Sequence, residues 1–337
     1  MKPIQVLVAA CIPTLLIVPV LMRPSEFSPP SRTFLFTYQV TLKAIPDGVR
    51  RVRVWIPRPA SDAYQRVLLK EVHAPVHLRE TREEEFGNHM LYGEMPQPPN
   101  GEAEFTLEYE VTRKEYSRGS FENLVKSDPE DSGTPPASVA RFLLADYLVP
   151  VSGRLKEIAD EKTRGLHGPV EKAHALYDYV FHTVRYDKSG TGWGRGDSLW
   201  VCDSKHGNCT DFHSLFMSLA RAEGIPARFE IGFPLPAGAA EGVVPGYHCW
   251  SEFFVKGLGW VPVDISEAWK DPSKHDYFFG SLDANRVQFT VGRDLMLEPR
   301  QDGPPLNYFV YPYVEVDGRP YDGAEKKFSF REVQVGG

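Results

Sequence analysis

The sequence predicts an α+β protein: an antiparallel, β-sandwich-like domain followed by a domain in which a helix packs on an antiparallel sheet. Three observations predict this. Residues 33–115 alternate apolar and polar side chains with period two, residues beyond 137 change to spacings of three and four, and residues 248–264 return to a two-stranded pattern around a glycine-rich turn. With 337 residues, 42% apolar and 25% charged, the chain has a globular composition and room for two domains. A net charge of −7 without a Lys/Arg stripe excludes nucleic acid as the main partner. Four cysteines (Cys11, Cys202, Cys209 and Cys249) with no C-x2-C pair are too few for a disulfide scaffold.

Residues 1–23 read as a signal or membrane anchor. Positions 4–22 are almost unbroken apolar sequence behind Lys2, near the ~20 residues that span a bilayer and longer than the usual signal core of roughly 7–15. No small-x-small cleavage site precedes Arg23, which favours an uncleaved anchor over a removed signal peptide. The expectation is an exported, periplasmic or extracytoplasmic body tethered to the membrane. Residues 24–32, with Pro24, Pro29 and Pro30, form an extended spacer.

Residues 33–125 are the β-sandwich-like domain. Phe34, Phe36, Tyr38, Val40 and Leu42 alternate with polar residues, as do Val52, Val54 and Ile56, and Phe105, Leu107, Tyr109 and Val111. Such alternation predicts strands with one buried and one wet face. No catalytic residue types gather there, so binding, spacing or structural support is its expected job. Residues 126–137 (KSDPEDSGTPPA) are a polar linker. Residues 138–298 form the second domain. Residues 154–163 suit a short helix. Pro169, behind Gly168, opens a longer one whose apolar face carries Val170, Ala173, Tyr177, Val180 and Val184. Residues 190–196 (GTGWGRG) lack the flanking strand and helix of a dinucleotide fingerprint and are read as a flexible loop bordering a site. Residues 299–337 are a C-terminal β segment, which either completes a sheet or stands as an appended module.

The chemistry concentrates in two places. Residues 210–223 have a helical pattern closed by Gly224 and Ile225-Pro226, which puts Cys209 at the helix N-terminus. Unpaired N–H groups and the helix dipole there favour the thiolate. Residues 248–255 and 260–264 form a hairpin with His248 at its start and Asp264 at its end. A thiol needs a base to hold it as thiolate and protonate a leaving amine, and a carboxylate to fix the imidazole tautomer. Cys209, His248 and Asp264 supply these parts. With 257–259 as the turn, a regular hairpin sets Asp264 opposite Glu252, four residues from His248. A bulge or stagger, or an orienting share taken by Glu252, is then required.

Residues 203–228 (DSKHGNCTDFHSLFMSLARAEGIPAR), then Gly246-Tyr247-His248-Cys249-Trp250 and Gly257-Leu258-Gly259-Trp260-Val261-Pro262-Val263-Asp264, resemble the transglutaminase-like superfamily, in particular its bacterial exported members. The resemblance covers roughly 138–298. It implies a papain-like fold and a Cys-His-Asp site for amide acyl transfer on protein or peptide substrates, carried here by Cys209, His248 and Asp264. Hydrolysis is the first expectation and transamidation the second. The sequence departs from the pattern at Cys249, where a small residue such as Ala is common. No EF-hand-type loop is present, so calcium and other cofactors are not implied. The backbone N–H of Cys209 is the first candidate oxyanion donor, with the indole N–H of Trp200 or Trp193 as a possible addition. Among the aromatic residues, Trp193 and Trp250 are candidates to line a substrate cleft. Asp211 and His213 read as helix-start residues facing solvent or a neighbour.

Two other readings compete. A non-catalytic peptide-binding module could keep the same fold, but all three chemical parts are present. A zinc site from Cys202, His206, Cys209 and His213 lacks the closely spaced cysteine pair of structural zinc sites. Cys202 and Cys249 could form a disulfide, although two buried thiols are preferred.

Overall fold

The computed structural model of the chain describes residues 30–96, 101–128 and 134–333. The apolar run 4–22 with Cys11, and nearly all of the 24–32 spacer, lie outside them. Among the described residues no helix is long and apolar enough to cross a membrane.

Two five-stranded antiparallel sheets face each other. The first runs in the order Glu241–Val244, Ala324–Glu332, Ser31–Ile45, Gly101–Lys114 and Gln65–His73. The period-two residues set its register: Phe34 faces Val111, Phe36 faces Tyr109, Tyr38 faces Leu107 and Val40 faces Phe105, all buried on one side. The second sheet runs Arg319–Pro320, Tyr313–Val316, Val52–Arg58, His89–Met95 and Arg79–Arg82. Here the expectation of one wet face fails. Val52, Val54 and Ile56 join the shared core, while Trp55 on the other face packs with Leu295, Leu297 and Phe309. Arg53 tolerates burial on that second face because Glu315 neutralises it at 3.0 Å and Trp55 stacks under it at 4.5 Å.

Both sheets take strands from the C-terminal segment. Ala324–Glu332 lies beside Ser31–Ile45, and Tyr313–Val316 lies beside Val52–Arg58. The β unit is therefore discontinuous in sequence, and residues 299–333 complete it.

The second region has a four-stranded antiparallel sheet in the order Gly259–Val263, His248–Val255, Ala227–Pro234 and Arg286–Val291. Helix Cys209–Ala222 packs across it, with Phe216 edge-on to Phe253. Helices Arg154–Lys162, Gly168–Thr183 and Ser198–Ser204 cover the rest of that helix, so every residue from Cys209 to Arg221 is buried. An α+β, papain-like arrangement results. Phe233 leaves the four-stranded sheet to pack on Phe36 (5.2 Å between ring centroids) and Phe328 (4.3 Å), which joins both regions in one core.

Candidate active site

The start of helix Cys209–Ala222 is fixed by a capping box. Asn208 Oδ1 accepts the Thr210 N–H at 2.9 Å, and Asp211 Oδ2 accepts the Asn208 N–H at 2.9 Å. Asp211 also accepts the N–H groups of Gly194 (2.6 Å) and Gly196 (3.0 Å), tying the 190–196 loop to the first turn. Gly207 serves this reach: a Cβ there would lie 2.3 Å from the Asp211 carboxylate. Its role is space beside Asp211 rather than a left-handed backbone. Asp211 is thus buried and structural, and it faces no solvent.

His248 opens its strand, and its Nε2 lies 2.7 Å from Asp264 Oδ2. The hairpin register makes this contact possible. Val255 pairs with Gly259, and the turn closes with the Leu258 N–H on the Val255 carbonyl at 3.1 Å, Gly257 adopting φ +90°. Ser251 then pairs with Val263 and Glu252 with Pro262, so the register is offset by two residues from the one with 257–259 as the turn. Asp264 follows directly, two residues nearer His248. Its backbone leaves the sheet to cap helix Ile265–Lys270, Oδ1 accepting the Glu267 N–H at 3.1 Å. Glu252 takes no part; it is held by Arg228 at 2.7 Å.

The electrostatics favour an ion pair. Burial pushes the Cys209 thiol up, but hydrogen bonds from Cys249 and His248 and the charge of His248 outweigh it, leaving Cys209 well below the usual thiol range. Burial opposes charge on His248, yet Asp264 and Cys209 push it up to about 10. Asp264, despite burial, is held well below the carboxylate range by His248 and Arg286. With Nε2 on Asp264, the imidazole has Nδ1 left for the thiol. Cys249, the departure beside the histidine, is pushed well above its ordinary range by burial and by Cys209, and stays a neutral thiol. Cys202, Cys209 and Cys249 are all free and buried.

Two residues of the site carry no motif. Arg286, from the edge strand, donates Nη1 to Asp264 Oδ2 at 2.9 Å and lies over the Trp250 ring at 4.9 Å. His213 is fully buried between elements and so faces neighbours rather than solvent: Nδ1 donates to the Cys209 carbonyl at 2.8 Å and Nε2 accepts the Ile265 N–H at 3.1 Å. Burial brings His213 down to about 4, so it is neutral, as that tautomer requires. It ties the turn of Cys209 to the Asp264 corner. Spacing within the helix placed His213 near the site, but nothing in the sequence marked Arg286.

The candidate tryptophans fall differently. Trp193 gives its indole N–H to the Gly190 carbonyl at 3.2 Å, so that donor is already used. Trp200 sits against Gly192 and edge-on to His206 at 5.2 Å. Trp250 is 1% exposed and packs with Tyr116 and Leu282, so it lines an interior wall rather than an open cleft. Tyr247 stands beside the helix start, its hydroxyl accepting from Asn208 Nδ2 at 3.0 Å and paired with Thr210 Oγ1 at 2.9 Å.

A cysteine thus stands at a helix start, beside an adjacent hairpin whose His248 and Asp264 pair. Residues 156–265 match the family model described as transglutaminase-like superfamily. This segment belongs to that superfamily. An uncharacterized protein of Haemophilus influenzae (strain Rd) is 29% identical over 339 residues, spanning 88% of this chain and 89% of its own. The crystal structure of a candidate cysteine protease from Cytophaga hutchinsonii superposes with a TM-score of 0.57 at 16% identity, covering 90% of this chain and 99% of that one. It shares the fold across the β unit and the transglutaminase-like domain together. The periplasmic domain of TgpA from Pseudomonas aeruginosa also matches, at a TM-score of 0.36 and 20% identity, over 70% of this chain and 75% of that one.

Proposed function

We propose that the chain is a cysteine-dependent acyl-transfer enzyme that cleaves amide bonds in protein or peptide substrates. The observation that carries this reading is the pairing of His248 Nε2 with Asp264 Oδ2 at 2.7 Å beside a thiol held as thiolate at a helix start. The Cys209 sulfur attacks the amide carbonyl, and the Cys209 backbone N–H stabilises the oxyanion, with Trp200 as a candidate second donor. His248 gives its proton to the leaving amine, and a thioester on Cys209 remains. Water, losing a proton to His248, then attacks the thioester and releases the acid. An amine in place of water gives transamidation, so the outcome depends on how well the cleft admits water.

Incubation with a mixed peptide pool followed by mass mapping tests this directly. An acyl adduct on Cys209 is expected, and Cys209→Ala should abolish turnover while keeping the fold. Turnover that survives Cys209→Ala rejects the mechanism. The apolar run 4–22 supports an exported body held at the membrane. Intact protein in the soluble cytosol after cell fractionation would contradict that placement.

A further inference from the structure

A cavity of about 320 Å³ between the β unit and the outer face of the four-stranded sheet is not used by this mechanism. Arg113, near the end of strand Gly101–Lys114, lines it and is 2% exposed. Among the described residues its Nε has no partner, it makes no ion pair, and its one contact is a long hydrogen bond from Nη1 to Gln65 Oε1 at 3.5 Å. Among the described residues Arg286 also has an unpartnered Nε, but it and the other buried arginines have strong partners elsewhere on the guanidinium. Arg53, Arg221 and Arg286 each reach a carboxylate at 2.7–3.0 Å, and Arg293 donates to the Gly196 carbonyl and Ser214 Oγ. A buried guanidinium left open in this way is costly unless something pairs with it.

The cavity's own acids lie with other groups, although Glu230 Oε1 accepts no hydrogen bond. Glu252 and Glu230 are held by Arg228 at 2.7 and 2.8 Å, and Asp62 Oδ1 accepts the N–H groups of Tyr64 and Gln65. Burial pushes Glu230 up to about 8 against the pull of Arg228. The wall presents Arg113, Arg118 and Arg228 with Asp62, Glu230 and Glu252, and among the described residues both acids that pair do so with Arg228, leaving Arg113 and Arg118 without a carboxylate partner. Tyr64, stacked on Tyr116, and the buried Trp250 add flat apolar surface. A planar guanidinium without a carboxylate partner matches a carboxylate better than any neutral group.

We propose that this cavity is a binding site for a carboxylate-bearing ligand, with the carboxylate on Arg113 and the organic body against Tyr64, Tyr116 and Trp250. The ligand is either the C-terminus of a peptide or a small free organic acid. The site needs no step of the cysteine chemistry, and both parts of the molecule build it.

Calorimetric titration of the whole chain with N-acetylglycine tests the assignment. Saturable one-to-one binding is expected, with N-acetylglycinamide weaker by about tenfold or more, and with Arg113→Gln weakening the acid by a similar factor. Binding should persist in Cys209→Ala, so failure of the catalytic reading and failure of this site are separable. Because Arg113→Gln could disturb folding, wild-type protein is also labelled with phenylglyoxal and mapped by mass spectrometry. N-acetylglycine should slow labelling of Arg113 but not of the exposed Arg66. If N-acetyl-tetraglycine binds as tightly as N-acetylglycine, the source is a peptide C-terminus; if it binds about tenfold more weakly, the source is a small free acid. No saturable binding, equal binding of acid and amide, or an Arg113 that is unreactive or unprotected overturns the proposal.

Discussion

His248 lies between the Cys209 thiol and the Asp264 carboxylate, and its charge depends on both. Its position near 10, above the ordinary 6.5, means that its share of stability is full below about 6.5 and is lost as pH rises through about 10. Asp264 is depressed, so its share is present above about 4 and is lost as pH falls toward its folded value. Iodoacetamide should therefore alkylate Cys209 at a nearly level rate from about pH 6 to 9, where a free thiol would gain about tenfold per pH unit, and Cys249 should stay inert. A steep rise at Cys209 through pH 8 would show that the thiolate is not preformed. Turnover should fall as pH passes about 10, because the leaving amine then finds no proton on His248. Arg286 gives a second expectation. Arg286→Gln leaves Asp264 with less positive charge, so its carboxyl protonates more easily and the acid limb of the pH–rate curve moves upward. Loss of one partner from this buried pair should also cost about 3–5 kcal/mol in urea unfolding. A variant that is only less stable, with an unmoved acid limb, would reduce Arg286 to packing. Cys209, His248 and Asp264 were legible because each sits at a recognisable local place: a helix start, a strand start and a strand end. Arg286 was not, because a strand pairing 22 residues beyond Asp264 delivers it and no local pattern announces that.

Helix Cys209–Ala222 was legible from its spacing and its Gly224 stop, but its burial on all sides was not. The polar residues Thr210, Asp211, His213 and Ser214 look like a wet face in sequence and are buried against partners supplied by distant loops. The hairpin shows the same limit at finer scale. A glycine-rich turn is obvious at 257–259, yet the pairing of Val255 with Gly259 decides the register, and that choice brings Asp264 within reach of His248. The first turn of the helix is where an element-level test bites. Asp211 accepts three backbone N–H groups and joins the 190–196 loop to the turn of Cys209. Asp211→Ala should cost about 2 kcal/mol, from the lost cap and the orphaned donors, by chemical denaturation. It should also open the 190–196 loop to limited proteolysis, with Asp211→Asn intermediate. An uncut loop would mean that other contacts, such as Arg293 on the Arg195 and Gly196 carbonyls, hold it unaided.

At the scale of the whole molecule, a composition break at 126–137 divides the sequence, but the core does not follow that division. Strands 313–316 and 324–332 close sheets begun by residues 31–58, a pairing across nearly the full chain that no local signal reveals. Strand Glu241–Val244, from within the transglutaminase-like region, extends the first sheet by pairing with Ala324–Glu332. Phe233 then packs into the β unit against Phe36 and Phe328. The transglutaminase-like region therefore has an apolar face and a strand edge that only the rest of the chain covers. Expressed alone, residues 138–298 should not reach a cooperative fold, because Phe233 would be bare and strand 241–244 unpaired. Far-UV circular dichroism with a thermal melt checks this, and a sharp transition for the fragment would show that the region is autonomous. In the full chain, Phe328→Ala should cost about 3–5 kcal/mol through the cavity left beside Phe233 and Tyr38. Near-UV and far-UV signals should still move at one shared, lower denaturant midpoint, because a single core links the β unit to the sheet that carries His248.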